Sequence, residues 1–239
     1  MKEDPRRRRA RLYFRQGSVV LGLFLLILGI IPGVIYAIYA LVCHSKRPTD
    51  EEVDAWLAED LSKVQDESFA KLGLDEKEDS ERVREPIALT GPIAWKVPGV
   101  PDEEIRWRKG KDDFVRFSVN RFTILHFLET GIAGYACDFN SFRGVALNES
   151  THEFHYADIV SVTTQEESSS YTLQNGLKMV HAQAFRISVA SGESISYVIG
   201  AEKLKELTDG KIPTTEAERA ILVIRKLLRE RKAGIGDSA

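Results

Sequence analysis

Apolar residues follow three patterns along the chain. From Gly17 to Cys43 no charged residue occurs, the pattern of a helix that is hydrophobic on every side. From Val53 to Leu72 the apolar positions narrow to Val53, Trp56, Leu57, Leu61, Val64, Phe69 and Leu72, which predicts an amphipathic helix whose stripe needs a partner. From Ile87 to Ile199 short runs rich in Val, Ile, Thr, Phe and Tyr alternate with turn residues, and this predicts about seven to nine strands. The runs are Ile87–Leu89, Ile105–Arg108, Phe114–Val119, Phe122–Leu128, Gly134–Phe139, Val145–Leu147, Glu153–Tyr156, Ile159–Thr164, Ala184–Val189 and Ser194–Val198. No helix separates successive runs, so the strands form an antiparallel meander.

Local signals set the boundaries. Pro48-Thr49-Asp50-Glu51-Glu52 opens the amphipathic helix, with Thr49 accepting from the Glu52 N–H while Glu52 reaches back. Gly73 closes it. Asn120-Arg121, Asn148-Glu149-Ser150-Thr151 and Ala190–Glu193 read as hairpin turns. Glu202–Leu207 predicts a short helix; Thr215 and Glu218 cap a longer one whose apolar face is Ala217, Ala220, Ile221, Ile224, Leu227 and Leu228. The chain thus divides into a basic tail (1–16), an apolar segment (17–43), an acidic amphipathic helix (49–73), a charged linker (74–86) and a β domain with a C-terminal helix (87–233).

Charge changes the reading of the first two segments. The net value is only −3, but Lys2, Arg6, Arg7, Arg8, Arg9, Arg11 and Arg15 precede the apolar run, while Lys46 and Arg47 follow it. At about 1.5 Å per residue, residues 17–43 would reach about 40 Å, enough to cross a hydrocarbon core of about 30 Å with tilt. The expectation is an uncleaved transmembrane helix with a cytoplasmic N-terminus in a single-pass protein. Pro32-Gly33 interrupts the run and marks a kink, or the turn of a re-entrant hairpin that would keep both ends on one side.

Two resemblances bear on fold. Leu28-Gly29-Ile30-Ile31-Pro32-Gly33-Val34-Ile35-Tyr36-Ala37-Ile38-Tyr39 resembles the second membrane helix of the Pmp3/YqaE family, which implies membrane insertion and a role as a membrane-protein accessory in ion homeostasis. Tyr36 stands where that family often has histidine. The strand meander with its closing helix, and Phe154-His155-Tyr156-Ala157-Asp158-Ile159-Val160-Ser161-Val162, resemble pleckstrin-homology (PH) domains of the bacterial PH and GRAM type, as in uncharacterised bacterial membrane proteins. That resemblance implies an α+β fold, a PH-like β-barrel or curved sheet closed by the C-terminal helix, and places the single span in a bacterial inner membrane; a split barrel or another α+β meander stays open.

The search for chemistry yields contact surfaces rather than a reactive centre. Two cysteines, Cys43 and Cys137, are too few for a disulfide scaffold, and Cys137 alternates as a buried strand residue. No Gly-x-Ser-x-Gly elbow or phosphate-binding glycine loop occurs. Metal binding would draw on His126, His152, His155 and His181, but His152 and His155 are three apart, which on a strand directs them to opposite faces and argues against a shared metal. Arg106, Arg108, Lys109, Lys111, Arg116 and Arg121, interleaved with Trp107 and Phe117, are candidate lipid-headgroup contacts; they also fit a solvated loop rim. Asp112 and Asp113 break any continuous stripe for nucleic acid. Val53, Trp56, Leu57, Leu61 and Val64 are the candidate partner-helix face, suited to the chain's own domain, to a second copy or to another protein.

These observations predict a non-enzymatic, membrane-anchored binding or scaffolding protein, with an anionic-lipid sensor as the alternative. Its partners would be the bilayer and a protein or second copy, with no nucleic acid, no small-molecule substrate, no metal and no cofactor.

Overall fold

A computed structural model describes residues 4–14, 30–74, 82–167, 171–172, 178–179, 182–192, 194–200, 208–211 and 217–236. Four α-helices lie among them: α1 (Pro5–Phe14), α2 (Ile30–Ser45), α3 (Asp50–Lys71) and α4 (Ala217–Gly236). The strands are β1 (Arg82–Pro92), β2 (Trp107–Lys109), β3 (Val115–Phe117), β4 (Val119–Leu128), β5 (Gly131–Asn140) and β6 (Val145–His155). They continue as β7 (Ile159–Glu167), β8 (Tyr171–Thr172), β9 (Lys178–Met179), β10 (Ala182–Val189) and β11 (Ser194–Gly200).

The class is α+β, and every strand pair within the sheets is antiparallel. One sheet runs β1-β4-β5-β6 and a second runs β11-β10-β7; β2-β3 and β8-β9 are separate hairpins. Among the described residues none of these sheets closes into a barrel, so of the barrel or curved sheet expected from the sequence the barrel is corrected. Between the two larger sheets α4 inserts Ala220, Ile221, Ile224 and Leu227 against Phe127 and Ile132 of the first and Ile159 and Ile187 of the second. On the first sheet's other face α3 packs Val64 with Phe122, Ile124, Tyr135 and Phe139.

The start and stop of α3 follow local chemistry. Thr49 Oγ1 accepts from the Glu52 N–H at 3.2 Å, and Glu52 Oε2 accepts from the Thr49 N–H at 2.9 Å, satisfying two donors that a helix start leaves open. Gly73, with φ 69°, follows its last turn. The same reasoning misplaces two turns. Asn120 and Arg121 sit inside β4, facing Phe139 and Asp138 of β5. Asn148 has φ 50° within a continuous β6, opposite a register shift between Ala136 and Asp138; its left-handed backbone makes a bulge rather than a reversal. Arg82–Glu85, expected in the charged linker, already belong to β1.

No helix among the described residues is long and apolar enough to cross a membrane. Of the expected span, residues 30–43 are described, and they belong to α2. The longer α3 and α4, of 22 and 20 residues, are rich in charge. This corrects the expected single span and, with it, placement in a bacterial inner membrane. Residues 17–29 of the expected span lie outside the described residues. Pro32 and Gly33 lie in the first described turn of α2, and the residues preceding Ile30 lie outside the described ones. Beyond that turn Ile35, Ile38 and Leu41 are exposed. The predicted short helix at 202–207, the Thr215 cap and His181 lie outside the described residues.

Candidate functional site

The arginines of the N-terminal segment are bound to the acidic helix. Arg7 forms a two-pronged pair with Asp60, Nη1 to Oδ2 at 2.6 Å and Nη2 to Oδ1 at 2.7 Å, and Arg6 Nη2 adds a third bond at 3.1 Å. Asp60 is buried, with its side chain 2% exposed. Arg6 also donates to Glu59, Arg9 donates to Glu52 and lies over the Trp56 ring, and the Tyr13 hydroxyl donates to Asp50 at 2.7 Å. Arg6 and Arg7 at the start of α1 meet Glu59 and Asp60 in the middle of α3, while Tyr13 near its end meets Asp50 at the start of α3, so the two helices run antiparallel. Phe14 meets Phe142 edge-on, with Val53 packed alongside. Burial, then the Asp50 hydrogen bond, raises the Tyr13 phenol well above its ordinary pKa.

Next to this seat Arg116 of β3 is gripped by two carboxylates. Asp54 of α3 accepts from Nε at 2.7 Å and Nη2 at 2.6 Å; Asp112 accepts from Nη1 at 2.9 Å and Nη2 at 2.7 Å. The Arg116 side chain is 6% exposed, and the bond to Asp112 leads the effects that raise its pKa. Paired charges of this geometry are strong and directional. The hairpin that delivers Asp112 needs Asp113 at φ 66°, and Asp50 accepts from the Lys111 N–H at 2.7 Å. One acidic residue thereby joins the tip of the β2-β3 hairpin to α1.

An open groove of about 540 Å³ lies between α3 and the first sheet, with Arg116 in its wall. Asp54, Leu57, Ala58 and Leu61 line it from α3, at the spacing of one helical face. Ala88 and Thr90 of β1 and Phe114 and Val115 at β3 complete the walls. The groove is chiefly apolar, with carboxylates of Asp54 and Asp112 at its margin. Histidine and cysteine are absent from its described lining. Among the described residues no group of three or more His, Cys, Asp or Glu side chains could hold a metal ion.

The predicted headgroup contacts have distinct structural partners. Arg108 donates to the Tyr13 carbonyl at 2.6 Å and stacks over the Tyr13 ring, while Lys109 pairs with Asp113 and Asp209. Arg121 binds Asp138, itself 1% exposed. Arg106 donates to the Glu103 carbonyl, and Lys111 is exposed. Only Arg116 of the six lines the groove. Of the partner-helix face, Val64 is buried against the first sheet, Val53 and Trp56 meet α1, and Leu57 and Leu61 both pack on the sheet and line the groove.

Sequence reasoning missed Asp54, Asp60 and Asp112 as partners of specific arginines. On an acidic helix they look like solvating charge; only the fold brings Arg7 and Arg116 from distant segments to them. A signal existed at Asp54, which shares the spacing of Leu57, Ala58 and Leu61. No protein-family model matches this chain, and no curated protein or solved structure matches it.

Proposed function

We propose that this protein is a non-enzymatic binding module that docks a segment of another protein in the groove between α3 and the first sheet. The observation that carries this reading is the open groove itself. Its walls combine apolar side chains with carboxylates held by Arg116, a surface suited to anchoring side chains and setting their orientation. Arg116 keeps the two walls in register. With both carboxylates on its guanidinium, its role is structural and leaves contact to Leu57, Leu61 and Phe114.

A displayed random-peptide library selected on the 239-residue chain tests this function. Ala58 is exposed and lines the groove, so Ala58→Trp fills the space from a helical position that tolerates a large side chain. Peptides enriched on the unaltered chain should be lost on a folded Ala58→Trp variant. Equal retention on both, or no enrichment, overturns the reading.

A further inference from the structure

We infer that the groove's occupant is an arginine-bearing amphipathic helix from another protein, an inference that rests on the docking function proposed above. The chain already contains a template for such an encounter. Helix α1 lies on the flank of α3 adjoining the groove, placing Arg6, Arg7 and Arg9 on Glu59, Asp60 and Glu52 and burying Tyr13 and Phe14 beside them. Its seat and the groove are continuous: Asp54, Leu57, Arg116 and Phe117 line both. The basic helix fills one end of this surface and leaves the other open.

Charge favours the same class of occupant there. Helix α3 carries eight carboxylates against two lysines. At the groove, two carboxylates face one guanidinium, and the side chains of Asp54 and Asp112 remain 54% and 42% exposed. Each ionised carboxylate has about four acceptor positions, more than its bonds to Arg116 use. An incoming guanidinium can share these carboxylates while apolar side chains enter between Leu61 and Phe114. An acidic segment would meet repulsion from α3, and an uncharged one would leave the carboxylates to water.

A fluorescein-labelled peptide of residues 4–14, Asp-Pro-Arg-Arg-Arg-Arg-Ala-Arg-Leu-Tyr-Phe, provides a probe of this chemistry. Fluorescence anisotropy with the 239-residue chain should show saturable binding of one peptide per chain. Folded Ala58→Trp should weaken it by on the order of tenfold, as should raising salt from about 0.05 to about 0.5 M. Thr90→Lys, on the facing wall, gives an independent block by like charge and serves if Ala58→Trp does not fold. No binding, binding unchanged by the groove variants, or equal binding of a hexa-arginine peptide overturns the inference. The docking function survives that result if library-selected uncharged peptides still depend on Ala58; if none do, both fail.

Discussion

At Gly110 an added Cβ would intrude on the Arg116 guanidinium and sit 2.6 Å from Asp112 Oδ1. The missing side chain leaves room for the charged cluster at the hairpin tip. The Arg116 bond holds the Asp112 carboxyl at about 2, below its ordinary 3.8. A carboxyl depressed in the folded state adds stability above its unfolded pKa and loses it as pH falls through the folded value. Asp112→Asn should therefore lower stability at neutral pH, with the difference from the unaltered chain shrinking between about pH 4 and about pH 2. Since the side chain is 42% exposed, solvent screening limits the effect to below about 1 kcal/mol. Denaturant melts across that pH range check the sign and the size.

The α1–α3 pair carries larger stakes because its central carboxylate is buried. Asp60→Ala would leave Arg6 and Arg7, with side chains 17% and 12% exposed, without the group on which they converge. A cost of about 3 kcal/mol is expected, with loss of hydrogen-exchange protection in α1 and little change in β5. Equal protection of α1 in both proteins would show that its aromatic anchors suffice. Much of α3 was legible in the sequence: its capping box, its terminal glycine and its apolar stripe all depend on neighbours within a few residues. What the stripe touches was not, since Val53 meets α1 while Val64 meets the first sheet. Helix α1 was illegible for the same reason. Its arginines look like a membrane-topology signal until Asp60, more than fifty residues later, supplies their partner. Asn148 shows a different limit, because left-handed backbone serves a turn and a bulge alike.

Across the whole molecule, one apolar core joins both larger sheets to α4. Ile224 is wholly buried there, whereas Leu222, two residues earlier, is 66% exposed. Ile224→Ala should cost about 2–5 kcal/mol through lost burial and a residual cavity, while Leu222→Ala should change stability by less than about 0.5 kcal/mol. Thermal melts of the two variants separate a shared core from a helix that merely rests on the surface. That core was expected in outline from strand alternation and the closing helix, but the groove lies beside α3 instead, and it and the open arrangement of the sheets depend on pairing at long range. The seat of α1 adds an order of assembly. Its walls come from Glu52 to Asp60 and from Ser141 and Phe142, so a ribosome must release the β5-β6 corner before the helix it made earlier can settle. Protection of α1 during synthesis would therefore act as a late clock, starting only after the strands that follow it have left the tunnel.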